Sequence, residues 1–297
     1  MKSILHRSMP GLAIYVFMVI TIACKKNSKD NAVPAPPPPV PAAKYGFTLK
    51  ADGPGNTYEL INGALGGTAE ESPDCAHPAF GRHISEVFDA VLNKNVFVFT
   101  LHVTPDDDRC NGLTDRQRNE IKTYGPSPDS LKGQLNETVT YRWKFKIDAG
   151  FQPSPSFTHI HQIKAGDGND DSPIITITPR YGSPDKLEII HTGNSTATTL
   201  GKIKTVDLAA FKGTWVEVTE KIVYKTNGSI DLTIKRVSDG VTLLTYSNNN
   251  IDMWRDATTF VRPKWGIYRS LNNVSYLRDE EVRFADFCIA EGNAICQ

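Results

Sequence analysis

Three short runs of this 297-residue chain place charged, imidazole and phenol groups at the two-residue spacing of a strand face. Successive strand side chains point to opposite sides, so Arg116, Arg118, Glu120 and Lys122 share one face. Arginine there offers a fork of donors matched to a carboxylate. A solvated face with internal ion pairs is the competing reading of this run taken alone. His159 and His161 stand together in the same way, with Ile160 turned to the core, and a histidine poised near neutral pH suits general-base work. Two such histidines could also ligate a metal, but a third ligand at a defined spacing is missing, so no metal is assigned. In the third run Lys264, Gly266 and Tyr268 share a face while Trp265 and Ile267 pack inward. The glycine leaves room for a ligand to approach the backbone, and the tyrosine hydroxyl can protonate a leaving oxygen. The groups suit proton transfer beside an anionic, hydroxyl-rich ligand.

Such faces need strands to carry them, and the chain reads as a series of short alternating runs separated by Gly, Pro, Asn and Asp. Val96–Val103, Val139–Ile147, Phe157–Lys164, Ile174–Thr178, Lys186–Ile190, Thr214–Tyr224, Ser229–Arg236 and Val282–Ile289 are rich in β-branched and aromatic residues, as strands require. Asp239-Gly240 marks a hairpin. Ser85–Lys94 alone has a helical alternative, and it too reads as strand plus turn. No fixed repeat argues for a propeller or solenoid. A dozen or more strands in one domain predict an all-β, concanavalin-like jelly-roll sandwich of two antiparallel sheets.

In chain order the three runs resemble the strand motifs R-x-E-x-R, Q-I-H and K-x-G-x-Y of jelly-roll polysaccharide lyases of the alginate-lyase type. They stand here as Arg118-x-Glu120-x-Lys122, His159-Ile160-His161 and Lys264-x-Gly266-x-Tyr268. The segment Lys264–Arg269 (KWGIYR) is also similar to heparin-lyase-like proteins. Lys122 replaces the last arginine, and His159 stands where glutamine is expected. The resemblance implies β-elimination on a 4-linked uronate polymer, with the sugar carboxylate neutralised so that the C5 proton can leave. It implies neutralisation by Arg118 and His159, His161 as base, and Tyr268 as acid or as both base and acid. Arg116, Lys122, Lys264 and Arg269 would hold neighbouring carboxylates or sulfates, and Glu120 would orient Arg118. The histidine in place of glutamine favours ulvan or another glucuronate or iduronate polymer over ordinary alginate. A retaining hydrolase would need two carboxylates close together on one strand face, and no E-x-D-x-x-E run is present. A non-catalytic glycan-binding lipoprotein of an uptake system is the other alternative; it would use the same cations without a tyrosine facing a histidine.

The remainder of the chain sets the compartment. Lys2, His6 and Arg7 precede an uncharged run, Gly11–Ala23, too short to span a bilayer and suited to a signal peptide. Thr21-Ile22-Ala23-Cys24 resembles a bacterial lipobox, which implies lipidation of Cys24 and a cell-envelope location, with membrane contact through the lipid alone. Residues 1–23 are thus read as signal, 24–43 as a lipidated, proline-rich tether, and 44–297 as the lyase domain. Cys75, Cys110, Cys288 and Cys296, an even number in an exported chain, predict two disulfides, with Cys75–Cys110 and Cys288–Cys296 the favoured pairing. The formal net charge is zero, which argues against nucleic acid as partner; a monomer acting on an anionic uronate polysaccharide is expected. Asp167-Gly168-Asn169-Asp170-Asp171 offers hard oxygen ligands for Ca2+ but lacks the glycine and distal glutamate of an EF-hand. It is read as a polar loop, with no cofactor required.

Overall fold

The computed structural model describes residues 44–297; the expected signal, Cys24 and the tether lie outside the described residues. In chain order the strands are β1 (Phe47–Leu49), β2 (Glu70–Glu71), β3 (Ile84–Asp89), β4 (Lys94–Leu101) and β5 (Arg116–Lys122). Then come β6 (Thr138–Ile147), β7 (Thr158–Ala165), β8 (Ile175–Arg180), β9 (Lys186–His191) and β10 (Gly201–Asp207). The last are β11 (Val216–Val223), β12 (Gly228–Arg236), β13 (Thr242–Ile251), β14 (Val261–Ser270) and β15 (Glu280–Glu291).

These strands form two antiparallel sheets, the jelly-roll sandwich expected. One runs β13-β12-β11-β6-β15-β4-β3, with β1 also paired to β15; the other runs β10-β9-β8-β7-β14-β5-β2. Period-two patterning explains the first sheet. On β6, Val139, Tyr141, Trp143, Phe145 and Ile147 are buried while the residues between them are half-exposed, so one face packs and the other stays wet. Between the sheets Trp143 meets Trp265 at 5.9 Å and Phe287 meets Trp265 at 5.0 Å between ring centroids, aromatic contacts that add to area burial. Ser85–Lys94 forms β3 and the turn into β4, and Asp239-Gly240 turns β12 into β13.

A helix the sequence did not announce, α1, spans Thr57–Leu65 and buries Thr57, Tyr58, Ile61 and Leu65. Nine residues with Gly63 in the second turn carry little intrinsic helicity; the apolar stripe packed on the sandwich holds it. The two disulfides join Cys75 to Cys110 and Cys288 to Cys296, as favoured. The first ties the loop after β2 to the loop before β5.

Candidate active site

The seven-stranded sheet puts β14 between β7 and β5, so the three motif strands are neighbours. Lys264 lies opposite Lys122, Gly266 opposite Glu120 and Tyr268 opposite Arg118. On the other side Tyr268 lies opposite His159 and Lys264 opposite Gln162. The outward side chains of this face form two zones.

In the first zone, Tyr268 and His159 are half-exposed, with ring centroids 5.9 Å apart. Phe157 stacks on His159 at 5.0 Å. Arg116 Nη1 donates to the Tyr268 oxygen at 3.0 Å, and the Arg118 guanidinium lies 3.7 Å over the Tyr268 ring. His159 Nδ1 is 2.7 Å from Thr178 Oγ1. Burial pushes the His159 imidazole down to about 3; Glu120 opposes this, while Arg180, Arg118 and Lys264 add to it. The ring is therefore neutral across the physiological range.

The second zone is a packed ion cluster. Lys264 Nζ sits 2.5 Å from Glu71 Oε2 and 2.7 Å from Glu120 Oε2. Arg118 donates to Asp108 Oδ1 and to Glu120 Oε2, both at 2.8 Å. Lys122 Nζ donates to Glu71 Oε1 at 2.7 Å, and Gln162 Nε2 to Glu120 Oε1 at 2.5 Å. Burial alone would raise both carboxyl groups, but Lys264 and Arg118 outweigh it and hold Glu71 and Glu120 below the ordinary carboxylate range. Burial lowers the Lys264 ammonium to about 8, against the pull of Glu120. Removing one member of such a buried pair typically costs 3–5 kcal/mol, because a charge is left uncompensated.

The three motif strands β5, β7 and β14 build this face. A polysaccharide lyase family model matches residues 77–285. The chain belongs to this polysaccharide lyase family. A comparison with curated proteins finds no match. Among solved structures, the marine alginate lyase from Aplysia kurodai is 12% identical with a TM-score of 0.57, covering 84% of this chain and all of that one. A family 7 alginate lyase, A1-II′, in complex with substrate is 16% identical with a TM-score of 0.53, covering 83% of this chain and all of that one. An endo-β-1,4-glucuronan lyase from the fungus Trichoderma reesei is 18% identical with a TM-score of 0.49, over 69% of this chain and 85% of that one. The jelly-roll fold is shared with the two alginate lyases.

The lyase departs from the sequence-based expectations at several positions. Lys264, expected to hold substrate charge, is buried and spent on Glu71 and Glu120. His161 does not face outward with His159. It is fully buried between the sheets against Trp143 and Trp265, its Nε2 3.0 Å from the buried Glu220 and its Nδ1 donating to the Lys264 carbonyl at 2.8 Å. The reason is a register shift: from Trp265 to Tyr268 β14 advances three residues while β7 moves two, from His161 to His159. Alternation cannot persist through that shift, and the histidines end on opposite faces. Arg269 also points inward, fully buried and bonded to Gln117 Oε1 and the Arg278 carbonyl, so it holds no substrate charge. The Arg118 fork is occupied by Asp108 and Glu120, which makes it a positioning residue under Tyr268 rather than a free carboxylate binder. Glu120 is fully buried within the cluster, where it does orient Arg118. Gly266 has φ +146°, and a Cβ there would fall 2.2 Å from the Asn119 carbonyl oxygen, so the glycine admits the β5 backbone rather than a ligand.

Sequence reasoning missed Glu71, Asp108, Gln162, Arg262 and Lys164. Lys164 lies opposite Arg262, and neither makes an ion pair among the described residues; burial lowers both cations, a cost that Asp170 reduces at Lys164 and that Glu71, Glu120 and Asp170 reduce at Arg262. Continuing the alternation from Lys264 back to Arg262 would have found one of them. Two-residue β2, which carries Glu71, has no periodic signal. In the acidic loop, the Asp167 carboxylate accepts bonds from Thr258 Oγ1 and from the Thr259 backbone and hydroxyl, which tie it to the segment before β14.

Proposed function

We propose that this lyase cleaves a 4-linked uronate polysaccharide by syn β-elimination, with Tyr268 as both base and acid. The observation that carries the reading is the juxtaposition of Tyr268 with His159 and Arg116 on the accessible end of the motif face. Arg116 donates to the phenol oxygen and so stabilises the negative charge left there when the proton departs. The phenolate takes the C5 proton, the C4–C5 double bond forms, the C4–O4 bond breaks, and the same proton passes to O4. An imidazole whose conjugate acid ionises near 3 is a poor base at neutral pH. Its fitting role is to stay neutral and donate Nε2–H to the sugar carboxylate as charge builds on it, with the Thr178 hydroxyl donating to Nδ1.

The substrate class follows from the residues and from the relatives: alginate lyases share the fold, and His159 in place of glutamine favours ulvan or another glucuronate or iduronate polymer. The test is incubation of the purified protein with alginate, glucuronan, ulvan and heparin-type chains, following the absorbance of the unsaturated product. Product from at least one is expected; none from any uronate polymer overturns the reading. The proposed setting is the cell envelope, through lipidated Cys24. Cys24→Ser is expected to move the protein from the membrane to the soluble fraction with activity unchanged, and retention of that variant after a salt wash contradicts the anchor.

A further inference from the structure

Away from the motif face, the loop after β2 and the two ends of the β3–β4 hairpin bring His77, His83, His102 and Asp106 together, with all four candidate ligand atoms within 4.8 Å of one another. His83 Nε2 is 3.1 Å and His77 Nδ1 3.2 Å from Asp106 Oδ1; His77 Nδ1 and His102 Nδ1 are 3.3 Å apart. Ligands about 2.0–2.1 Å from a tetrahedral zinc ion stand about 3.3 Å from each other. Three of the six separations among the four atoms thus match the edges of that tetrahedron, and the remaining ones lie within 4.8 Å.

Three further contacts fit a metal better than a cluster of ion pairs. His83 Nδ1 lies 2.9 Å from Asp74 Oδ1, the carboxylate–histidine arrangement that fixes the tautomer and aims Nε2 at a metal. The Asp106 Oδ2 atom accepts the His102 backbone N–H at 2.6 Å and lies 3.2 Å from His102 Nδ1, while Oδ1 faces His83 and His77. Phe80 covers the rings, 4.4 Å from His102 and 4.7 Å from His83 between centroids. Without a metal, an imidazolium at His83 would be shared by Asp74 and Asp106. His77 and His102 would then meet nitrogen to nitrogen, a contact that works as a hydrogen bond only when one ring carries its Nδ1 proton and the other does not.

We propose that His77, His83, His102 and Asp106 form a closed, four-coordinate structural site for a divalent transition metal, zinc foremost. Three imidazole donors and one carboxylate suit zinc and not the all-oxygen preference of calcium or magnesium. Four protein ligands leave no open position, so the ion is structural. It pins the loop after β2 to the segment that follows β4. Gln117 Nε2 on β5 donates to the carbonyls of His102 and Asp106. Asp108, two residues on, holds Arg118 beneath Tyr268. The site thus connects to the motif face without taking part in proton transfer.

The experiment reads metal without substrate, so its outcome is independent of the lyase reading. The purified full chain is analysed for metal by mass spectrometry, then stripped with a chelator and melted with and without added zinc, calcium or magnesium. About one equivalent of transition metal is expected, with a melting temperature that falls on stripping and is restored by zinc alone. Cobalt substitution is expected to give the intense visible bands of a four-coordinate ion. His77→Ala, at a partly exposed ligand, is expected to fold and to lose the bound metal. Asp74→Asn is expected to weaken zinc binding by about 10–100-fold, as loss of an outer-shell partner does. A wild-type chain that binds no zinc and melts at the same temperature with and without it overturns the proposal. So does a His77→Ala variant that retains the metal at full affinity.

Discussion

Tyr268 stands between two guanidinium groups, and each restricts it differently. Arg116 contacts its oxygen and Arg118 its ring face, so the phenol is aimed before any substrate arrives. Loss of the hydroxyl with the ring retained isolates the proton-transfer step: Tyr268→Phe is expected to lower kcat at least about a hundredfold with polymer affinity preserved. Cleavage at the wild-type rate would remove Tyr268 from the chemistry. His159 is assigned a donor's role, which a glutamine amide can reproduce. His159→Gln is therefore expected to retain measurable turnover, whereas His159→Ala loses about 100–1000-fold, the usual effect of deleting an oxyanion donor. If both variants fall equally, the donor role fails. The same residue sets a pH dependence. Its folded pKa, about 3, lies below the ordinary value, so between roughly pH 3 and 6.5 the unfolded chain binds a proton that the folded chain does not. Its contribution to stability is complete above that window and is lost as pH falls through it. The His159 ring proton signals are expected not to titrate between about pH 5 and 8 by NMR.

The elements explain which of these features could be read from the sequence. Strand alternation placed Arg118, Glu120, Lys122, Lys264 and Tyr268 on one face, and the sheet order bears that out because β5 and β14 pair without interruption over those residues. It failed on β7, where the pairing with β14 shifts register and a one-residue slip exchanges faces. The face of His161 depends on that long-range pairing, which no local periodicity reports. Arg269 was readable: it alternates with Tyr268 and belongs inside, where Gln117 meets it. The four proposed metal ligands were not, since they come from loop residues whose proximity is set by the β3–β4 hairpin and the Cys75–Cys110 link. The buried His161 has its own consequence. His161→Ala leaves Glu220, itself fully buried, without its partner. It is expected to cost about 3–5 kcal/mol in urea unfolding, while the folded variant keeps the wild-type kcat. A stable but inactive His161→Ala protein would return that residue to catalysis.

At the scale of the whole molecule, attraction for a polyanion has to be local, because positive and negative side chains balance at 33 each. Within the motif face most cations are matched by carboxylates: Lys264 by Glu71 and Glu120, Arg118 by Asp108 and Glu120, Lys122 by Glu71. Lys164 and Arg262 differ, sitting side by side and making no ion pair among the described residues. Burial already weakens their protonated forms, and the carboxylates near them offset this only in part, so an arriving anion would relieve a standing cost. Their place on the sheet assigns the anion. Lys164 is five residues along β7 from His159, about 16 Å at about 3.3 Å per residue, so a sugar held there is not the sugar being cleaved. Charge far from the scission point contributes binding that is the same in ground and transition states, which changes KM and not kcat. The Lys164→Ala, Arg262→Ala double variant is therefore expected to raise KM for a long uronate polymer several-fold at unchanged kcat. Added salt should narrow the gap between variant and wild type, since screening weakens the contact that the variant lacks. Oligosaccharides too short to reach from Tyr268 to Arg262 should be cleaved equally well by both proteins. An equal KM for long polymer at low salt would place the substrate along another line across the sheet.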